Sequence, residues 1–169
     1  VTTIYSNALF QVAGPSPRYA GDHAVPHKAT EVCKECHREI HNTETITPHA
    51  HALEPLQQAH QDTNPACLPC HTVGYLLPTG YTNQTATPQL ADVQCENCHG
   101  PAANHAADEF DPTVRPRVEL AATVCGGCHN AQFVPAGTTP SHPPYYEEWN
   151  SSAHRAVLDE LKADFQSSL

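Results

Sequence analysis

The pentapeptide Cys33-Lys34-Glu35-Cys36-His37 decides how this chain folds, because its pattern, C-x-x-C-H, occurs four times in the sequence. The other copies are Cys67-Leu68-Pro69-Cys70-His71, Cys95-Glu96-Asn97-Cys98-His99 and Cys125-Gly126-Gly127-Cys128-His129. All eight cysteines of the chain belong to a motif, and a histidine follows every pair. This repetition indicates one kind of site that is built four times.

The spacing suits covalent attachment of c-type haem. Two thiols one helical turn apart reach the two vinyl groups of a porphyrin, and the adjacent histidine supplies the proximal nitrogen to iron. The sequence therefore predicts four haems c with His37, His71, His99 and His129 as proximal ligands, bound through Cys33, Cys36, Cys67, Cys70, Cys95, Cys98, Cys125 and Cys128. Two zinc sites of four thiolates each, or four disulfides, are the alternatives, but neither requires a histidine after every pair.

Composition explains why such a chain needs its cofactors. The 169 residues include 16 prolines, no methionine and only 7% aromatic residues, which are too few large side chains for a good all-protein core. Four haems leave about 42 residues around each one. We therefore expect a mainly α fold with little regular secondary structure, in which short helices and long proline-rich loops wrap around four haems.

Charge and hydropathy exclude two classes of partner. Eight lysine and arginine residues against 18 aspartate and glutamate residues give a formal charge of −10, which repels the phosphates of nucleic acid. No apolar run approaches the roughly 18 to 20 residues of a membrane-spanning helix. We expect neither a nucleic-acid partner nor a membrane span.

The second ligand of each iron has to come from the histidines. The chain has no methionine, so His/Met ligation is excluded, and nine histidines remain beyond the four proximal ones. His49 and His154 each follow a helix-capping residue, Thr47 or Ser152, and each begins an apolar face at helical spacing. We predict that both ligate iron while the leucines behind them pack on the porphyrin. Pro55 is expected to bend or end the first of these helices.

The remaining histidines divide by their context. His51 lies about 200° around the helix from His49 and cannot serve the same iron. We expect His41, His51 and His60 to be exposed. His142 fits either role.

Several segments resemble the tetrahaem cytochromes c of the ammonia-oxidiser (c-five-five-four) type, over roughly residues 18–161. The similar segments are Arg18 to Gly21, Thr47 to Ala50, Cys67 to Tyr75, Val93 to Pro101 and Tyr146 to His154. The resemblance implies closely stacked haem pairs, with His49, His105 and His154 as distal ligands. One departure is Glu44, which stands where the family pattern has a tryptophan, whereas Trp149 is present before His154.

A second departure is an extra stretch before the first motif, residues 22–29, which carries His23 and His27. In the periplasmic type of this family one haem is five-coordinate, and either histidine is a candidate for that open position. Residues 1–17 are typical of an extended arm, since they lack helical periodicity and end in Gly14-Pro15-Ser16-Pro17. We predict an N-terminal arm over residues 1–30 and a tetrahaem cytochrome domain over residues 31–169.

An arm with spare histidines resembles the extracellular tetrahaem cytochrome filaments related to outer-membrane cytochrome E. The resemblance implies a homopolymer with head-to-tail contacts, in which His23 or His27 ligates a haem of the neighbouring subunit. Such heterologous contacts do not close, so they grow a fibre.

These observations predict electron transfer and not catalysis, with redox proteins or extracellular acceptors as partners. The leading expectation is a subunit of an extracellular conductive filament. A soluble periplasmic tetrahaem carrier and a reductase with one open haem iron are the alternatives, although eight lysine and arginine residues offer little to bind an anionic substrate. Because haem c is attached outside the cytoplasmic membrane, we expect an exported protein, extracellular or at the cell surface, alternatively periplasmic. No signal peptide is visible at Val1, as expected of a mature N-terminus.

Overall fold

The structure is a computed structural model that describes residues 18–22, 31–118, 121–130, 144–157 and 160–161. The chain divides into two compact units, residues 1–120 and 121–169. The predicted boundary at residue 30 lies outside the described residues, as do His23, His27 and His142. Most of the predicted N-terminal arm lies outside them as well.

Short helices make up nearly all the regular structure. In the first unit they are α1 (Lys34–Glu44), α2 (Glu54–Gln58), α3 (Leu68–His71), α4 (Cys95–His99) and α5 (Ala103–Ala107), with 3₁₀ helices at Pro48–His51, Pro88–Leu90 and Pro112–Val114. The second unit contains α6 (Ala122–Gly126), α7 (Tyr145–Asn150) and helical residues 153–157. The described residues form no β-strand, and one isolated bridge pairs Thr72 with Ala91. The predicted fold class, mainly α with little regular structure, is confirmed.

None of the helices in the described ranges has the length and apolarity that crossing a bilayer requires.

Each C-x-x-C-H motif adopts a helical turn, as the chemistry of its spacing predicts. The backbone N–H of His37 donates to the carbonyl of Cys33 at 2.8 Å, and that of His129 donates to Cys125 at 2.9 Å. These are the i to i−4 bonds of an α-helix, so the two thiols of each pair lie one turn apart. In the fourth motif α6 ends at Gly126 and a turn continues to the histidine.

The apolar core of the described residues is small. It consists of six buried residues that contact one another, namely Leu53, Leu68, Val73, Tyr81, Leu90 and Ala91. Leu53, expected to pack on a porphyrin, is 1% exposed within this cluster, and Leu56 packs against it. Large apolar side chains such as Ile46, Phe110 and Val118 lie more than four-fifths exposed instead.

The segment that carries His49 is not the single helix that its spacing predicted. Pro48–His51 forms a 3₁₀ helix, and α2 begins separately at Glu54. Pro55 lies in the first turn of α2, where its missing N–H has no helical partner to lose. The prediction that Pro55 bends or ends the first helix is therefore wrong, because the proline starts the next one.

Candidate functional site

Two predicted proximal histidines are oriented by backbone carbonyls. The Nδ1 atom of His71 lies 2.5 Å from the carbonyl oxygen of Ala52, and that of His99 lies 2.6 Å from the carbonyl oxygen of Arg117. A carbonyl oxygen can only accept, so Nδ1 carries the proton in both rings. Nε2 then carries the lone pair, and a histidine with Nδ1 protonated and hydrogen-bonded to a carbonyl is the tautomer that metal-ligating histidines adopt.

The cysteines are arranged for covalent attachment. All eight lie in the described ranges, none is paired in a disulfide and none is buried. Free cysteine is otherwise among the most buried residue types. Accessible thiols in pairs on short helices therefore fit a group bound through thioether bonds.

A zinc site of the knuckle type does not form among the described residues. The one group of three ligand atoms within 4.8 Å of one another belongs to Asp22, Cys33 and Cys95. It takes one thiol from each of two pairs, whereas a zinc knuckle uses both thiols of a pair. The donor set therefore favours haem over zinc.

The first and third motifs lie next to each other. The thiol of Cys33 donates a hydrogen bond to Cys95, which raises the pKa of Cys33 and lowers that of Cys95. Their sulfur atoms lie within 4.8 Å of each other. The attachment points of two predicted haems are thus neighbours, although 62 residues separate them in the sequence.

The residues around the third motif tie the first unit together. Gln94 and Asn97 cap α4 reciprocally, and the Asn97 side-chain amide donates to the carbonyl of Thr72, directly after His71. The Gln94 side chain accepts from the backbone N–H of Asp22 at 2.5 Å. No local pattern predicts this network, because Gln at the N-cap and Asn at N3 differ from the usual Ser or Thr followed by Glu or Gln.

Glu96 is the most buried acidic side chain of the motifs, at 3% exposed. Its carboxylate accepts from the backbone N–H groups of Ala20, Gly21 and Ala102, at 2.7 to 3.1 Å. Burial raises the pKa of Glu96, and these three N–H groups oppose the rise. Gly21 has a φ of +73°, and a Cβ atom there would lie 2.5 Å from the carbonyl of Gln89, so only glycine fits this approach.

The segment that carries the predicted distal ligand His49 is hydrogen-bonded to the residues just before the third motif. Its carbonyl accepts from the N–H of Val93 at 3.0 Å, and the N–H of Leu53 donates to Asp92 at 2.7 Å. The His49 side chain itself is exposed. The structure therefore brings this histidine close, along the backbone, to Cys95.

His105 lies in the middle of α5 and is half-buried. Its Nδ1 atom is buried and has no hydrogen-bond partner.

His154 lies in the second unit, in helical residues 153–157, and is exposed. Ser152 caps the first turn of this helix, because its side chain accepts from the N–H of Arg155 at 3.4 Å. The capping role predicted for Ser152 is thus confirmed, whereas the one predicted for Thr47 is wrong, because its side chain makes no capping hydrogen bond. The guanidinium of Arg155 lies 5.6 Å from the ring centroid of Trp149.

The fourth motif packs on α7 within the second unit. The N–H of Tyr146 donates to the carbonyl of His129 at 2.9 Å. A Cβ atom on Gly126 would lie 2.6 Å from the Tyr146 ring, so the glycine between the two cysteines permits the close approach. The first turn of α7 is thereby held beside His129, the fourth predicted proximal histidine.

The prediction that His41 is exposed is wrong. The side chain is 3% exposed, and its Nε2 atom lies 3.1 Å from the carboxylate of Asp22, which also accepts from the N–H of Cys33. Both side chains line a cavity of about 150 Å³ together with Glu44, whose pKa burial raises. The helical position alone gave no sign of this partner, which lies 19 residues earlier. His51 and His60 are exposed, as predicted.

Comparison with known proteins is consistent with this geometry. Residues 32–100, which hold the first three motifs and His49, match the family model "Cytochrome c554 and c-prime". Cytochrome c-554 of Nitrosomonas europaea is 33% identical over 98 residues, covering 49% of this chain and 42% of the relative. The chain thus spans less than half the length of that relative. No solved structure matches at a significant level. Both similarities support the resemblance to the c-five-five-four type.

Proposed function

We propose that this chain transfers electrons through four covalently attached c-type haems. The observation that carries the proposal is the pair of Nδ1 contacts at His71 and His99, which fix in both rings the tautomer that metal-ligating histidines adopt. The match of residues 32–100 to a cytochrome family supports it. When bound, the haem supplies one-electron chemistry at its iron.

The protein supplies position and ligation. The motif helices present the thiols, and the carbonyls of Ala52 and Arg117 fix the two imidazole rings and raise their basicity. The contact between Cys33 and Cys95 brings two attachment points together, which favours electron transfer between the two cofactors. These are the tasks of a carrier, and they need no substrate pocket.

The distal ligands in this proposal are His49, His105 and His154. His49 is anchored beside the third motif, His105 has a buried Nδ1 atom without a hydrogen-bond partner, and His154 lies in the first turn of a capped helix after Trp149. The fourth ligand is His23 or His27, which both lie outside the described residues. Bis-histidine ligation keeps the iron closed to substrates.

Within this function we propose an exported subunit of an extracellular filament, in which His23 or His27 of one chain ligates a haem of the next. The support is the sequence resemblance and the extra histidines of residues 22–29. A soluble periplasmic carrier is the alternative with the same chemistry. A reductase with one open haem iron is the alternative from another class.

Pyridine haemochrome analysis tests the cofactor count, which is expected to be four per chain. Electron paramagnetic resonance of the ferric protein is expected to show low-spin haem throughout; a high-spin signal in the assembled protein would favour the reductase. Electron microscopy of native material tests the filament, with a monodisperse single chain and four six-coordinate haems as the contrary result. His23→Ala or His27→Ala is expected to make one haem high-spin and to block assembly, and if neither variant does so the arm assignment is wrong.

A further inference from the structure

We infer that Glu96, between the two cysteines of the third motif, is a positioning residue for His105. The inference rests on the proposed function in one respect, that His105 is a distal iron ligand. It concerns how this chain holds that imidazole in place, through backbone groups that are distant in the sequence.

The helix that carries His105 needs outside support. α5 has five residues, and a helix of that length is not stable by itself. Two hydrogen bonds from other segments hold its N-terminus. The N–H of Ala102 donates to Glu96 at 2.7 Å, and the N–H of Ala103 donates to the carbonyl of Arg18 at 3.0 Å.

Both of these anchors depend on the same carboxylate. Glu96 makes the first bond directly. It also accepts from Ala20 and Gly21, the residues that follow Arg18 almost immediately, and so keeps the Arg18 carbonyl in place. Loss of the Glu96 carboxylate therefore removes the hydrogen bond from Ala102 and weakens the one from Ala103, so both anchors of the N-terminus of α5 are affected.

The ring of His105 lacks the hydrogen bond at Nδ1 that orients other histidines of this chain. His71 and His99 are oriented by carbonyls at their Nδ1 atoms, but the Nδ1 atom of His105 is buried without such a partner. The direction of its imidazole then follows from the placement of α5. A proximal histidine has in addition the two thioether bonds of its own motif, which a distal one lacks.

The site requires a carboxylate, and not only a polar side chain. Three N–H donors converge on the two Glu96 oxygens in a region where the side chain is 3% exposed. A glutamine has one acceptor oxygen, and its NH₂ group would face an N–H group. A buried donor left without an acceptor is unfavourable, so Glu96→Gln cannot retain the arrangement.

The test compares Glu96→Gln with Glu35→Gln in the full-length holoprotein. Glu35 lies in the first motif and is exposed, so it is the matched control. We expect both variants to keep the haem count of the wild type by pyridine haemochrome. In Glu96→Gln the high-spin ferric signal is expected to rise towards one haem in four, and free imidazole is expected to restore the low-spin spectrum, because only the ligand is displaced.

A low-spin Glu96→Gln protein with the wild-type haem count would overturn the inference and leave the proposed function intact. A high-spin signal that saturating imidazole does not remove would also overturn it, since the haem surroundings themselves would then be lost. Where Glu96→Gln does not accumulate, Glu96→Asp decides, because it keeps both oxygens on a shorter stem. It is expected to give a partial high-spin signal, and a wild-type spectrum would count against the inference. A wild type with fewer than four haems would instead contradict the proposed function.

Discussion

Replacing Asp22 by alanine should destabilise the first unit by about 3–4 kcal/mol. Its carboxylate accepts from the N–H of Cys33 at 3.0 Å and lies 3.1 Å from Nε2 of His41, a side chain that is 3% exposed. Alanine leaves a buried imidazole nitrogen and a half-buried N–H unpaired. Each such group costs about 1–3 kcal/mol. Because His41 is the deeper of the two, we place most of the loss there.

Asparagine at the same position removes the negative charge of Asp22 but can keep the hydrogen bonds to Cys33 and His41. Its oxygen still accepts from Cys33, and its NH₂ group can donate to Nε2 of His41 once the imidazole proton moves to Nδ1. That Nδ1 atom has no hydrogen-bond partner to lose. We therefore expect Asp22→Asn to cost below about 1.5 kcal/mol, because the buried nitrogen keeps a partner.

Guanidinium denaturation of the holoprotein, followed by far-ultraviolet circular dichroism, measures both changes. Asp111→Ala is the control, since Asp111 caps the 3₁₀ helix Pro112–Val114 on the surface and loss of such a cap typically costs about 1 kcal/mol. Equal losses in Asp22→Ala and Asp22→Asn would refute the pairing argument, as would a loss below about 1 kcal/mol in Asp22→Ala.

Three further outcomes are expected. His49→Ala should convert one haem in four to high spin, and His51→Ala, its exposed neighbour, should leave the electron paramagnetic resonance spectrum unchanged. Burial, and then the charge of Glu96, raise the pKa of Tyr19 from 10.0 to about 12. This contribution to stability should thus be complete below pH 10 and be lost as pH rises towards 12, by about 1 kcal/mol once solvent screening of the partly exposed ring is allowed for, and Tyr19→Phe should remove this loss in denaturation measured at each pH. Gly74→Ala should lower the free energy of unfolding by at least about 2 kcal/mol, because φ is +63° and a Cβ atom would collide with the Tyr19 ring. Gly127→Ala is the control and should be nearly neutral, because Gly127 has a helical φ of −61°.

The motifs could be predicted from the sequence because their chemistry is local. A thiol pair and a histidine within five residues specify a helical turn, and the structure has such a turn at all four. The low content of regular structure also followed, since the composition offers few large apolar side chains. The capping role of Ser152 depends on its immediate neighbours and was predicted for the same reason.

What the sequence did not reveal depends on partners far along the chain. Glu96 binds Ala20 and Gly21 across 76 and 75 residues, and Gln94 binds Asp22 across 72. A glutamate between the two cysteines of a C-x-x-C motif would ordinarily be expected to be exposed, because glutamate is rarely buried. His41 was expected to be exposed for the same reason, because the carboxylate that pairs with it belongs to another segment.

The six-residue cluster around Leu53 has a consequence for the life of the protein in the cell. The described residues bury so few apolar side chains that they gain little from collapsing by themselves, and under the proposed function we expect folding to wait for the attachment of haem. We expect cellular abundance then to follow iron and haem supply more closely than translation. In iron-starved cells we expect the polypeptide to be lost to proteolysis while its messenger RNA stays at the same level.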